Sequence, residues 1–162
     1  MIGKWKLKLL SVIKGICFEM EVIPAVLTTT TEGGLWLRLN RRTTRGRLLI
    51  FVSDHGLKML NKSDGWLVDG TFKVVCQIDM FTQFVCIMVP APNSGTGCVA
   101  IMALLLSKTL ADYKAVFAFL VEEMGVTDPT KLYCDFETGI LNAVHGTLQT
   151  MEIHCCDVHF RR

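Results

Sequence analysis

Two aspartates in this sequence directly follow apolar runs, where a carboxylate needs a chemical reason. Asp69 follows "WLV" and Asp135 follows "LYC". Asp-Gly between apolar segments is typical of a hairpin turn, so Asp69-Gly70 allows two interpretations. It is either such a turn or a carboxylate held inside a strand, which costs desolvation free energy. Taken singly, each aspartate is more often a turn or cap residue than a ligand.

The two aspartates together suggest metal chemistry. If their strands are neighbours, the carboxylates converge at one edge of a sheet, and their mutual repulsion favours a cation between them. Mg²⁺ and Mn²⁺ take a few carboxylates and otherwise keep water or phosphate. Two such ions can assist phosphoryl transfer. We therefore predict a divalent-metal site at Asp69 and Asp135, with Gly70 allowing close approach of metal or phosphate.

A second cluster, "HCCDVH", places four soft ligands, His154, Cys155, Cys156 and His159, within six residues. Structural zinc sites need four N or S ligands and usually pair two short motifs, but the second motif is missing from this sequence. Alternation along a strand would put His154 and Cys156 on one side and Cys155 and His159 on the other. Packed cysteines with a partly exposed histidine are therefore as good an interpretation as a zinc site.

The hydrophobic pattern predicts the elements that position these residues. The region 98–107 fits a strand or a buried helix equally well. Asp54 is a plausible cap for the helical turns around residues 57–60. Strands are predicted at 47–53, 66–76, 81–90, 131–137 and 151–160, and helices around 57–60, at 109–125 (capped by Thr109 and closed by Gly125) and at 138–148. The helix at 109–125 has one apolar stripe, formed by Leu110, Tyr113, Val116, Phe117, Leu120 and Val121. The helix at 138–148 has Ile140, Leu141, Val144 and Leu148 on one face. Three strands followed by strand-helix-strand units indicate an α/β domain with a mixed sheet.

Composition indicates one globular domain. The 162 residues are 51% apolar and 20% charged, and the longest apolar run has nine residues, too short to cross a bilayer. The seven cysteines sit mostly singly, which suits a reducing compartment. Residues 1–47 carry a net charge of +6 and residues 48–162 carry −4. The densest basic run, Arg38–Arg47, is interpreted as a solvated linker, with phosphate contact as the alternative.

The pieces "WLVDGTFKVV", "FTQFVCIMVP", "LYCDFETGILNAV" and "HCCDVHF" together resemble the catalytic domain of Mutator-like element (MULE) transposases, which are DDE-type enzymes of the ribonuclease H-like superfamily. The resemblance covers roughly residues 47–162. It implies that Asp69 and Asp135 are the first two catalytic aspartates and bind Mg²⁺ or Mn²⁺. Cys156 and His159 match the family's Cys-x-x-His and are candidate zinc ligands. Transposon-end and target DNA are the implied partners, and the nucleus the implied location.

The resemblance also implies a fold and a limit on the activity of this chain. The expected fold is a ribonuclease H-like mixed sheet, three antiparallel strands and then parallel ones, with flanking helices and an incomplete C-terminus. Residues 47–162 would form this partial domain, and residues 1–46 a poorly defined basic segment. Glu137 is not the family's third acid, and the chain ends three residues after His159. We therefore expect weak metal binding and no transposition by this chain alone. The alternative is a non-catalytic DNA- or protein-binding remnant that uses residues 38–47.

Overall fold

A mixed β-sheet with helices is the framework of the chain, seen in a computed structural model that describes residues 23–43, 46–71, 81–91, 96–148 and 151–155. The elements are α1 (Ala25–Thr28), β1 (Leu37–Thr43), β2 (Gly46–Val52), α2 (Asp54–Lys62), β3 (Gly65–Thr71), β4 (Gln83–Pro90), β5 (Gly97–Leu105), α3 (Leu110–Ala118, continued by a π-helical turn Phe119–Glu123), β6 (Lys131–Cys134), α4 (Thr138–Thr147) and β7 (Glu152–Cys155). None of the helices within these ranges has the length and apolar character to cross a bilayer.

The sheet order is β1-β2-β5-β4-β3-β6-β7. Strands β3, β4 and β5 form an antiparallel meander, and β2 and β1 extend it antiparallel at the β5 edge. On the other side of β3, β6 pairs parallel to β3 and β7 pairs parallel to β6. The predicted α/β class and the mixed sheet, antiparallel first and parallel afterwards, are confirmed. The strand β3, which carries Asp69, lies where the two kinds of pairing meet.

Each sheet face carries its own apolar core, because side chains alternate between the faces. The face that we call the helix face packs against α2, α3 and α4, and Trp66 and Val68 of β3 lie buried there. The opposite face, which we call the second face, has a smaller core built mainly on β2, β4 and β5, where Phe51 and Phe84 pack with Ile23. Towards β3 and β6 the second face leaves Leu67 and Tyr133 exposed.

The region 98–107 forms a strand. Its side chains serve both cores, with Ile101 and Ala103 on the helix face and Met102 and Leu104 on the second face. β5 is hydrogen-bonded on both sides, to β2 and to β4. A strand buried on both faces reads as a continuous apolar run, so periodicity alone could not separate it from a helix.

The helix predicted from residue 109 is confirmed in its start and in most of its apolar stripe. Thr109 caps it, since its side chain accepts a hydrogen bond from the Asp112 amide. Tyr113 is fully buried, but Leu110 is 40% exposed and does not belong to the buried stripe. Gly125 has a φ of 63°, the left-handed conformation that suits the end of a helix.

Two local expectations are corrected. Ser53 rather than Asp54 caps α2, because the Ser53 side chain accepts from the Gly56 amide. The run Arg38–Arg47 is not a linker, since its described residues form most of β1 and the start of β2, paired antiparallel with Arg42 opposite Arg47. Charged side chains such as Arg41 suit β1, which lies at the edge of the sheet.

Candidate functional site

Asp69 lies inside strand β3 and not in a turn. The pairing of β3 with β4 continues through Asp69 opposite Cys86 and Gly70 opposite Val85, as far as Thr71. A hairpin at Asp69-Gly70 would have ended the ladder at that point. The interpretation as a carboxylate held within a strand is therefore confirmed, and that of a turn is wrong.

Asp135 lies beside Asp69 across the parallel pair of strands. The paired register of β3 and β6 ends at Val68 opposite Cys134. Asp69 is the next residue of β3, and Asp135 is the first residue after β6. Val68 and Cys134 are both buried on the helix face, so alternation within β3 directs Asp69 to the second face, while Asp135 follows the end of β6. Neighbouring strands lie about 4.8 Å apart. The two aspartates directly follow paired residues of neighbouring strands, and both are half-buried.

Two residues before the aspartates in the chain, a row of side chains crosses four strands on the second face. Leu67 lies opposite Met88 on one side and Tyr133 on the other, and Tyr133 lies opposite His154. The rings of Tyr133 and His154 are stacked, with centroids 4.9 Å apart and an interplanar angle of 18°. We call these four residues the cross-strand row. Two residues along a strand span about 6.6 Å, which separates the row from the aspartates.

A pocket of about 430 Å³ opens over part of the cross-strand row. Leu67, Met88 and Tyr133 line it together with Pro90 and Gly97. Its lining is mainly apolar, and its volume falls within the roughly 300–1,000 Å³ that small-ligand pockets have. Leu67 and Tyr133 of the pocket lie on β3 and β6, two residues before Asp69 and Asp135 in the chain.

The described residues contain no group of three or more His, Cys, Asp or Glu side chains that could hold a metal ion. Glu137, two residues after Asp135, instead accepts a hydrogen bond of 2.6 Å from the Tyr113 hydroxyl. Asp69 and Asp135 are two carboxylates that could serve a cation here. Mg²⁺ is commonly held by one or two carboxylates plus water and substrate phosphate, so this donor set suits it.

Gly70 makes room for a protein group on the helix face. A Cβ built on Gly70 would lie 2.5 Å from Gln83 Nε2 and 3.5 Å from both Glu137 Oε2 and Tyr113 Oη. This corrects the assignment of Gly70 to the approach of metal or phosphate, because its neighbours lie on the face opposite to that of Asp69. The Gln83 side chain is fully buried beside the Tyr113 hydroxyl, and neither of its amide atoms has a hydrogen bond of ordinary geometry within the part of the chain that the structure describes.

Two buried groups near the site have raised pKa values. Burial, followed by the hydrogen bond to Glu137, raises the pKa of Tyr113 well above its ordinary value. Burial, with smaller contributions from Cys155 and Asp135, raises the pKa of the Cys134 thiol to about 12. A thiol with this pKa stays protonated at neutral pH, and a protonated thiol is a poor nucleophile and metal ligand. Cys134 therefore serves as a packed apolar side chain.

The Cys/His cluster is split by the sheet. His154 stacks on Tyr133 on the second face, while Cys155 lies opposite Cys134, which is buried on the helix face. The alternation predicted for His154 and Cys155 is confirmed, so these two side chains do not point at one ion. The candidate zinc ligands Cys156 and His159 lie outside the described residues.

The basic run is largely engaged within the protein. Arg38 pairs with Asp54, and Arg41 pairs with Glu123 at 2.8 Å. Arg47 is only 2% exposed, and its Nε donates to Asn40 Oδ1 at 2.6 Å. Arginines that are ion-paired or buried in this way are less available to bind phosphate.

Two features escaped the sequence reasoning. The cross-strand row depends on the parallel register of β3, β6 and β7, which no local pattern contains. The contact of Gln83, Tyr113 and Glu137 joins three separate elements. The available signal was the polar Gln83 within the apolar run "FTQFVCIMV", which is unusual for a buried strand.

Comparisons of the chain with known protein families, with curated proteins and with solved structures found no match.

Proposed function

We propose that this chain is a transposase-derived domain of the ribonuclease H-like superfamily, ancestrally a metal-dependent enzyme of DNA cleavage and strand transfer. The observation that carries the proposal is the register of β3 and β6, in which Asp69 and Asp135 directly follow the paired residues Val68 and Cys134. The resemblance to MULE transposases singles out the same two residues. Nuclear residence and DNA as partner belong to the same proposal.

The order of the strands supports the fold part of the proposal. The expected domain has three antiparallel strands followed by parallel ones, and β3, β4 and β5 are antiparallel while β6 and β7 follow β3 in parallel. Helices α3 and α4 lie between β5 and β6 and between β6 and β7 in the chain, as the crossovers of a parallel addition require.

The two carboxylates would hold Mg²⁺ or Mn²⁺, which activates an attacking oxygen and stabilises the leaving one when bound. Asp69 is fixed by its strand, since β3 is hydrogen-bonded to β4 and β6. Asp135 directly follows the last paired residue of β6, so its backbone is less constrained. One fixed and one adjustable carboxylate suit an ion that demands near-ideal octahedral geometry.

The alternative, a non-catalytic remnant that binds DNA through residues 38–47, is less well supported. Its phosphate contacts would come from arginines, but Arg38 and Arg41 have acidic partners and Arg47 is buried. Phosphate binding by these arginines would require breaking the ion pairs of Arg38 and Arg41 and exposing Arg47. The acidic pair is therefore the stronger candidate for contact with DNA, through a metal ion.

Mn²⁺ titration by calorimetry tests the proposal. We expect weak binding by the full chain and a loss of at least about tenfold in affinity for Asp69→Asn and for Asp135→Asn, because each variant removes one of the two anionic ligands. Asp64→Asn is the matched control. Asp64 is an exposed acid directly before β3, at the opposite end of the strand from Asp69.

Two results would contradict the metal site. One is the absence of Mn²⁺ binding by the unmodified chain. The other is Mn²⁺ affinity in Asp69→Asn equal to that of Asp64→Asn, which would place the ion elsewhere.

A further inference from the structure

We propose that the pocket over the cross-strand row binds an unpaired nucleobase of a DNA strand whose phosphate lies at Asp69 and Asp135. The inference rests on the proposed function and adds a substrate-binding site to it. The base would stack on Tyr133 and lie over Leu67, which together with Met88 form the floor of the pocket.

Tyr133 is prepared for stacking. His154 covers one side of its ring at 4.9 Å, while 41% of the residue remains exposed. The stack holds the ring in place before a ligand arrives, so little conformational entropy is lost on binding. Aromatic side chains on a sheet surface are a common means of holding unpaired bases, because every base has a π-face.

The pocket is apolar where a ring would lie and has polar groups nearby. Leu67 is 39% exposed, a large apolar surface beside Tyr133. Thr96 and the backbone of Gly97 also line the pocket, and their polar groups suit the edge of a base. The mainly apolar lining suits the flat face of a ring.

The position relative to the acids decides the ligand class. Tyr133 is two residues before Asp135 on β6, and Leu67 is two residues before Asp69 on β3, so pocket and acids are separated by about 6.6 Å along both strands. A nucleotide whose phosphate is held at the acids would place its own or its neighbour's base over the row. A paired base has its edge occupied and its faces stacked, so the pocket requires an unpaired one.

The test uses the full chain and a short DNA strand that carries 2-aminopurine, a fluorescent base, with Mn²⁺ present so that the carboxylates do not repel the phosphate. We expect quenching of 2-aminopurine on binding, and a loss of about five- to hundredfold in affinity for Tyr133→Ser, from the value of a stacked base. Tyr133→Phe should keep the binding. Leu110→Ser is the matched control, because Leu110 is 40% exposed, about as much as Tyr133, but lies on α3.

A second variant, Leu67→Asp, places a negative charge on the pocket floor and should weaken binding as Tyr133→Ser does. For a strand with an abasic position in place of 2-aminopurine, the affinity of the unmodified chain should be no higher than that of Tyr133→Ser. A blunt duplex of the same sequence should bind more weakly than the single strand.

The inference is overturned if Tyr133→Ser and Leu67→Asp, folded by circular dichroism, bind and quench the strand as the unmodified chain does. Tighter binding of an RNA strand than of the DNA strand would overturn the assignment to DNA. Mn²⁺ titration of the same preparation separates this proposal from the proposed function. Metal binding without base binding refutes the pocket alone, and base binding without metal binding refutes the metal site alone.

Discussion

At the scale of single residues, the strand that carries Asp69 is shaped by its neighbours on both faces. Asp69 is directed to the second face, while the missing side chain of Gly70 leaves space for the Gln83 amide on the helix face. Within the described ranges that amide is fully buried with no hydrogen bond of ordinary geometry, next to the hydrogen bond between Tyr113 and Glu137. An unpaired buried amide costs roughly 1–3 kcal/mol.

Gln83→Met tests this cost. Methionine has nearly the same shape without the polar atoms, so we expect the free energy of unfolding in urea to rise by about 1 kcal/mol. A fall of similar size would mean that the amide is hydrogen-bonded in solution, to the Tyr113 hydroxyl or to water. Measuring the free energy of unfolding of Gln83→Met in a Tyr113→Phe background would then identify the partner. If Tyr113 supplies the hydrogen bond, Gln83→Met no longer lowers the free energy of unfolding in that background.

At the scale of elements, short-range signals placed most helices and strands. The apolar stripe and the cap at Thr109 predicted α3, and the face of Ile140 and Val144 predicted α4, since both depend on spacing within one segment. The π-helical turn Phe119–Glu123 was not predicted, and no residue type in it signals one. The edge strand β1 was missed because its arginines resemble a linker, and only its pairing with β2 distinguishes the two.

Thr109→Ala tests the cap of α3. The Thr109 hydroxyl accepts from the Asp112 amide at 3.3 Å and donates to Asp112 Oδ2 at 2.7 Å. Loss of both contacts should lower the free energy of unfolding by about 1 kcal/mol. Thr109 is exposed, so little packing changes with it. Thr109→Ser keeps the hydroxyl and should stay within a few tenths of the unmodified chain, and an equal loss in both variants would contradict the capping role.

At the scale of the whole molecule, the sequence predicted the α/β class and the mixed sheet, and named Asp69 and Asp135 as a pair. Their lateral register, the stack of Tyr133 on His154 and the pocket beside it follow from which strands become neighbours. Strand order is a property of the completed sheet, so local periodicity carries no direct record of it. For that reason the acids could be predicted and the cross-strand row could not.

Global stability should fall in alkaline solution. The Cys134 thiol has an ordinary pKa of 9.0 and one of about 12 in the folded protein. Above pH 9 the unfolded chain releases a proton that the folded chain keeps, so the unfolded state binds fewer protons and stability falls as pH rises from 9 to 12. The raised pKa of Tyr113 acts in the same direction above its ordinary value.

Urea unfolding at a series of pH values measures this slope. Cys134→Ala removes one of the two groups, so its free energy of unfolding should decline less steeply above pH 9.0, the ordinary thiol value, whatever its stability at neutral pH. An unchanged slope would mean that the thiol titrates normally in the folded protein. Cys98→Ala is the control, since Cys98 is a free, partly exposed cysteine on β5.

The place of β3 at the junction of antiparallel and parallel pairing has a consequence for the order of folding. The antiparallel strands β3, β4 and β5 follow one another in the chain, so their contacts close short loops. The pairing of β3 with β6 must wait until β4, β5 and α3 have been made by the ribosome, and such long-range contacts are slow to form. A nascent chain that has emerged only as far as α3 therefore carries Asp69 without its partner. The acidic pair comes into existence only when β6 joins the sheet.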